Sequence, residues 1–215
     1  MQLKACLFDM DGVIVDTAKY HFLAWSRLAE SLGVPFTEEQ NEQLKGVSRV
    51  DSLEKILAWG NIQLNNAKKL ELMELKNKWY LDFVATVTPQ EMLPGTLDLL
   101  KSLKANGIKI GLGSSSKNSI LILDKLDIMS YFDTIVDGNK ITLSKPNPEV
   151  FLRGAQELGC KPSETIVFED ALSGVEAAKL GGFYCIGIGS AEVLTQADRV
   201  VAHLGEVNVD ELLAL

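Results

Sequence analysis

The chain has little of what marks several large classes of protein. Its 215 residues carry 21 Lys and Arg against 29 Asp and Glu, a formal charge of −8, so the basic face that nucleic acid or an anionic membrane demands is not expected. Cysteine is sparse and odd in number: Cys6, Cys160 and Cys185 form no C-x-x-C pair, which argues against a disulfide framework and reads as buried thiols in a reducing cytoplasm. No apolar run is long enough to span a bilayer, and the chain enters its first strand without a basic region and apolar leader, so neither secretion nor membrane insertion is expected. Internal repeats, low-complexity segments and blocks of like charge are lacking as well. What remains is 47% hydrophobic, enough for one sizeable core and a small second one. A small anionic substrate would have to be met by individually placed Lys and Arg.

The most informative stretch lies near the start. Leu3-Lys4-Ala5-Cys6-Leu7-Phe8 is a short apolar run that reads as a buried strand, and it ends in Asp9-Met10-Asp11-Gly12. Asp9 then falls at the carboxyl end of a strand, where open α/β sheets bind ligands, and Gly12 lets the backbone pass close to whatever is bound. Two carboxylates so near each other repel, which a divalent cation and a division of roles would relieve. Asp9 suits an in-line nucleophile on a phosphoryl group, and Asp11, on the turn, suits a proton donor and acceptor. The plain alternative is an Asx turn or helix cap closing the strand.

After 13–16 the pattern turns helical. Ala18, Phe22, Trp25, Ala29 and Leu32 share one helix face that stops at Gly33. Thr37 with Gln40 has the form of a capping box, a third helix covers about 51–59, and a fourth places Leu72, Leu75, Trp79 and Phe83 on one stripe. From Pro94-Gly95 onward helices are expected at 96–106, 118–126, 148–158 and 173–180, and strands at 109–112, 134–136, 165–168, 184–188 and near 200–202. That alternation implies βαβ units. The expected architecture is an α/β, doubly wound, Rossmann-like parallel sheet (1–15 and 90–215) interrupted by a four-helix cap (16–89), with hinges near 15–17 and 86–94.

Three further segments carry chemistry. Gly113-Ser114-Ser115-Ser116-Lys117-Asn118 sets small hydroxyl residues at a strand tip before a helix, which offers backbone N–H groups and a dipole end to phosphate; Ser116 is expected to cap that helix. Leu143-Ser144-Lys145-Pro146-Asn147-Pro148 fixes a lysine beside prolines, aimed to offset phosphoryl charge and pair with Asp9. Ile166-Val167-Phe168-Glu169-Asp170 ends a strand in two carboxylates, best explained as oxygen ligands for Mg²⁺ together with Asp9 and the Asp11 backbone carbonyl. Each has a bland reading beside it: a serine cap, a solvated lysine in a turn, an N-cap aspartate.

Asp9-Met10-Asp11-Gly12-Val13, Ser114, Lys145 and Glu169-Asp170, in that order, resemble the haloacid dehalogenase superfamily of phosphotransferases over the whole chain. That resemblance implies an aspartyl-phosphate on Asp9, acid–base work by Asp11 and bound Mg²⁺. The segments Asp16-Thr17-Ala18-Lys19-Tyr20-His21-Phe22 with Trp25, Gln43-Leu44-Lys45-Gly46-Val47-Ser48-Arg49-Val50-Asp51-Ser52, Lys76-Asn77 and Ser116-Lys117-Asn118 resemble the β-phosphoglucomutase family within it. In that family Arg49, with Ser116, Lys117 and Asn118, grips the phosphate distal to the nucleophile. Thr17 and His21 couple Asp11 and the hinge to closure, and Lys76 approaches the sugar hydroxyls. Trp25, Lys45, Gly46, Val47, Ser52, Asn77 and Ser115 complete the expected substrate-binding set. Ser115 stands where the family often has alanine.

The implied reaction interconverts β-D-glucose 1-phosphate and glucose 6-phosphate through β-glucose 1,6-bisphosphate. The expected partners are small-molecule sugar phosphates met by a monomer, with no nucleic acid and no membrane. A sugar-phosphate phosphatase of the same superfamily needs the same core but not Arg49 or His21. A non-catalytic binding protein is disfavoured by the intact core carboxylates, and a dehalogenase by the second aspartate and the metal pair.

Overall fold

The computed structural model describes residues 2–45 and 47–215; the expected substrate residue Gly46 lies outside them. In chain order the elements are β1 (Ala5–Phe8), α1 (Ala18–Ser31), α2 (Glu38–Glu42), α3 (Arg49–Trp59), α4 (Asn66–Val84), α5 (Thr96–Ala105), β2 (Lys109–Gly113), α6 (Ser119–Lys125), β3 (Thr134–Val136), α7 (Glu149–Leu158), β4 (Thr165–Glu169), α8 (Leu172–Leu180), β5 (Tyr184–Ile188), β6 (Arg199–Val201) and α9 (Val209–Leu213). The strands form one sheet in the order β3-β2-β1-β4-β5-β6, and every pairing is parallel. Among the described residues no helix is long and apolar enough to cross a membrane.

Both faces of the sheet are covered, which is why its strands read as unbroken apolar runs. Successive strand residues point to opposite faces. Cys6 and Phe8 of β1 and Ile166 and Phe168 of β4 pack with Leu99, Leu103, Ile122 and Leu212 from α5, α6 and α9. Leu7 and Val167 pack with Phe151 and Leu158 of α7 and Val175 and Ala178 of α8. The chain leaves β1 for β2 and β3 on one side and returns to β4 and β5 on the other, so β1 borders the point where strand order reverses, the expected ligand crevice of a doubly wound sheet.

Helices α1 to α4 carry a core of their own, built on Trp25, Leu28, Leu44, Leu53, Ile56, Leu57 and Leu72. The capping box forms as expected, with Thr37 Oγ1 accepting from Gln40 N at 3.3 Å and Gln40 Oε1 from Thr37 N at 2.9 Å. The α4 stripe is corrected. Its buried positions are Leu72, Lys76, Tyr80 and Val84, while Leu75 is 37% exposed. Trp79 and Phe83 are half-buried, Trp79 beneath the Arg27 guanidinium and Phe83 stacked on Tyr20. An apolar count skips over a lysine, yet at helical spacing Lys76 continues the inward row. Between strand and helices, the Met10 carbonyl accepts from Ile14 N and Val15 N at 2.9 and 3.2 Å, winding 10–15 into a tight turn. Leu93 N donates to Ile14 O at 2.9 Å, so the two connections between helical unit and sheet run side by side.

Candidate active site

The register of the sheet builds the centre of the site. Phe8 stands opposite Phe168, the two rings stacked at 4.6 Å, so the residues that follow them, Asp9 and Glu169, emerge together at the strand tips. Period two aims both carboxylates to the face of Leu7 and Val167, which α7 covers. From the loop before α7 comes Lys145, lying over Phe151, with Nζ 2.6 Å from Asp9 Oδ1 and 2.8 Å from Glu169 Oε2. The lysine side chain is wholly buried. Burial alone would depress it, but the two carboxylates outweigh that and hold Lys145 above the ordinary lysine value. Its solvated-lysine alternative is thereby excluded.

Asp9, Glu169 and Asp170 each offer an oxygen within 4.8 Å of the others. Burial, opposed by Lys145 and helped by Asp9, raises Glu169 to about 7; burial with Glu169 and Asp9 raises Asp170 well above the usual carboxylate range. One lysine leaves this trio with excess negative charge, which a hard cation with oxygen ligands would offset. Asp11 Oδ1 is buried with no partner of its own, and burial followed by the Asp9 charge pushes its carboxyl up to about 8. Gly12, at φ +79°, keeps the approach open, since a Cβ there would lie 2.1 Å from Asp170 Oδ2. The donor set therefore fits Mg²⁺. Helix α8 is capped by Ala171, so Asp170 is not that helix's N-cap.

Beside it, the tip of β2 carries a loop of serines. Buried Ser114 accepts from Ser116 N at 3.1 Å, and Ser116 Oγ accepts from Asn118 N at 3.2 Å. The N-cap of α6 is Asn118, not Ser116 as its hydroxyl suggested; the two successive serine turns defer the helix by two residues. Ser115 is half-buried and Lys117 exposed, both on the cavity wall.

The helical unit closes the site from above. Arg49 opens α3 and donates from Nη2 to Asn77 Oδ1 at 2.6 Å, and Asn118 Nδ2 donates to the same oxygen at 3.0 Å. One amide thus joins the helical unit to the serine loop of the core. Lys76 is buried, its Nζ 2.8 Å from His21 Nδ1 and lying over Trp25 and Tyr80. Burial, then the neighbouring Arg49, keeps Lys76 well below the lysine range; burial with Lys76 and Arg49 keeps His21 well below the imidazole range. Thr17 is buried, with Tyr80 OH 3.5 Å from its hydroxyl. Ser52 is buried in α3, Val47 is half-buried, and Lys45 pairs with Glu42 at 2.9 Å while its carbonyl accepts from Ser173 Oγ at 3.1 Å.

A cavity of about 550 Å³ gathers Asp9, Asp11, His21, Trp25, Lys45, Val47, Arg49, Ser52, Lys76, Ser114, Ser115, Ser116, Lys117, Asn118 and Asp170 on one wall system. Thr17, Asn77, Lys145 and Glu169 stand behind those residues, bonded to them or to one another. Sequence reading missed Tyr80, whose ring packs on His21 at 4.2 Å; its position four residues beyond Lys76 was the available signal. It also missed Asp51 and Ser144, which lie on the same cavity and bond across it.

A model of haloacid dehalogenase-like hydrolases matches residues 3–182. The β-phosphoglucomutase of Bacillus subtilis (strain 168) is 43% identical over 212 residues, 98% of this chain and 94% of that protein. A phosphorylated carbohydrates phosphatase of Thermotoga maritima is 35% identical over 184 residues, 84% and 82% of the two chains. The crystal structure of β-phosphoglucomutase from Clostridium difficile superimposes with a TM-score of 0.95 at 39% identity, covering 98% of this chain and 95% of that one.

Proposed function

Because the chain belongs to the haloacid dehalogenase-like hydrolase family, whose members are enzymes, we propose that it interconverts β-D-glucose 1-phosphate and β-D-glucose 6-phosphate. Asp9 carries the phosphoryl group, and β-glucose 1,6-bisphosphate is the exchanged intermediate. The observation that supports this most directly is a second anion-facing cluster in the same cavity as Asp9: Arg49 from the helical unit and the 116–118 loop of the core, joined through Asn77. Hydrolysis of a monophosphate needs one such cluster; a bisphosphate that reacts at either end needs two.

In the forward half-reaction an Asp9 oxygen bonds to phosphorus as the bond from phosphorus to the sugar oxygen breaks, and Asp11 gives that oxygen its proton. The raised value of Asp11, about 8, suits a donor near neutrality. In the return step the free hydroxyl of the sugar attacks the Asp9 phosphoryl and yields its proton to Asp11. The bisphosphate formed by that transfer turns round before its other phosphoryl group goes to Asp9, its distal phosphate gripped by Arg49, Ser116, Lys117 and Asn118. Lys145 holds Asp9 in place and offsets charge on the transferring group. Asp9, Asp170 and Glu169, with the Asp11 backbone carbonyl, would hold Mg²⁺, which when bound offsets the phosphoryl oxygens' charge.

Thr17 and His21 relate Asp11 to closure of the helical unit, and Lys76 faces the sugar hydroxyls among Trp25, Lys45, Val47 and Ser52. Residues 16–89 act as a cap on a core of 1–15 and 90–215, closing to keep water from the aspartyl-phosphate. The enzyme works as a cytoplasmic monomer on small sugar phosphates, without nucleic acid or membrane partners.

Incubation with Mg²⁺ and β-glucose 1-phosphate, followed by NMR, is expected to yield glucose 6-phosphate; free phosphate and glucose alone would reject the mutase in favour of a phosphatase. Arg49→Ala is expected to lose mutase turnover by about 10²-fold or more, given the cost of misplacing a bound substrate, and to hydrolyse acetyl phosphate nearly as before. Equal losses in both reactions would contradict the distal-phosphate role.

A further inference from the structure

One carboxylate on the cavity wall has no part in the steps above. Asp51 Oδ2 accepts from Ser48 Oγ at 2.7 Å and from Ser144 Oγ at 2.8 Å, and Ser48 Oγ accepts from Asp51 N at 3.2 Å. Ser48 is the N-cap of α3 and Arg49 its first residue. Ser144 directly precedes Lys145. Asp51 and Ser144 are 93 positions apart in the chain, so their bond spans the seam between the helical unit and the core. It ties the segment that aims Arg49 to the segment that aims Lys145. Ser173 to the Lys45 carbonyl and Asn118 to Asn77 also span the seam nearby, with neutral acceptors, and at the hinge Tyr20 OH donates to the Glu91 carboxylate at 2.8 Å beside Lys19. A hydrogen bond to an ionised acceptor is the stronger kind.

We propose that Asp51 is a positioning residue: latched to Ser144, it sets the distance between the Arg49 cluster and Asp9, and so decides whether a sugar hydroxyl or water takes the phosphoryl group. The proposal rests on the mutase reading. In sugar transfer the bond from Asp9 to phosphorus breaks, the bond from sugar oxygen to phosphorus forms, and the hydroxyl proton passes to Asp11. In hydrolysis water supplies the oxygen and the proton instead. Only the first outcome needs a hydroxyl held at a set distance from a phosphate gripped elsewhere, and a misplacement of about 1 Å costs on the order of 10²-fold. Hydrolysis of a small phosphoester asks nothing of α3.

The test compares wild type with Asp51→Ala, Ser144→Ala, the double variant, Asp51→Asn and Ser48→Ala. Primed turnover of β-glucose 1-phosphate gives the ratio of glucose 6-phosphate formed to phosphate released, and acetyl phosphate hydrolysis is followed alongside. Asp51→Ala and Ser144→Ala each lower the ratio about threefold, less than a buried bond to a charged group would because Asp51 is exposed to water. The double variant lowers it no further, because the two residues make one interaction. Asp51→Asn, which keeps an acceptor oxygen but loses the charge, regains only part of the ratio. Ser48→Ala removes the helix cap and one of the two donors to Asp51 but leaves the bond to Ser144, and lowers the ratio less than Asp51→Ala; acetyl phosphate hydrolysis changes little throughout. Additive losses in the double variant, or a loss in Ser48→Ala equal to that in Asp51→Ala, would overturn the proposal. A wild type that makes no glucose 6-phosphate would defeat the mutase reading by itself. The latch is then judged by small-angle scattering of the ligand-free proteins, where the two single variants and the double variant share one larger radius of gyration; a radius unchanged from wild type refutes it.

Discussion

Replacing Lys145 with methionine tests the centre of the site in the absence of substrate. Methionine keeps much of the stem packed over Phe151 and removes the charge that bridges Asp9 and Glu169 at 2.6 and 2.8 Å. The side chains are 0% exposed for Lys145, 7% for Asp9 and 0% for Glu169, so water does little to replace the lost partner. Breaking a buried pair by deleting one member costs about 3–5 kcal/mol, because the remaining charge is left uncompensated. For a chain of this size each kcal/mol moves Tm by about 2–4 °C, so calorimetry in EDTA at pH 8 is expected to show a fall of about 6–20 °C. At pH 5 the fall is smaller. Glu169, raised to about 7 in the native protein, rises further without Lys145, so the folded variant binds more protons than the unfolded chain above the ordinary glutamate value, and its stability declines as pH rises. Adding Asp9→Asn to Lys145→Met removes one stranded charge and is expected to restore part of the loss. A single variant as stable as wild type in EDTA at pH 8, or a double variant less stable than the single, would refute the charge argument.

Saturating Mg²⁺ is expected to stabilise the metal-free protein by about 2.7 kcal/mol at a hundredfold excess over Kd, read as a rise in Tm that Asp170→Asn abolishes; an identical rise in that variant would remove Asp170 from the ligand set. His21 is expected to stay neutral where a free imidazole titrates, so its NMR signals show no midpoint near the ordinary imidazole value of 6.5. The unfolded chain takes up that proton and the folded one does not, so stability rises with pH through that range and is lost as pH falls below it; His21→Asn flattens the slope, and a normal His21 titration would contradict its burial against Lys76. At Gly174 a Cβ would lie 2.0 Å from Glu169 Cδ, so Gly174→Ala is expected to cost about 1–3 kcal/mol through overpacking and to weaken Mg²⁺ binding; an unchanged melting curve would show that the contact yields freely.

Much of this protein was already determined by its amino-acid order. The apolar runs of β1 and β4, each ending in carboxylates, locate Asp9, Glu169 and Asp170 at strand tips, and the helix–strand alternation after Pro94 dictates a parallel sheet covered on both faces. Those are short-range properties: periodicity, turn chemistry and the burial of apolar side chains act within a dozen residues. What only the tertiary structure decided is which distant groups meet. That Lys145 reaches two carboxylates at once follows from the β1–β4 register and the loop before α7, that Lys76 meets His21 follows from α4 packing on α1, and that Asn77 joins Arg49 to Asn118 and Asp51 finds Ser144 follows from how the helical unit settles on the sheet. That placement depends on packing between segments tens of residues apart. No local pattern in the chain encodes it, because a polar side chain in a helix looks the same whether it faces solvent or a cavity.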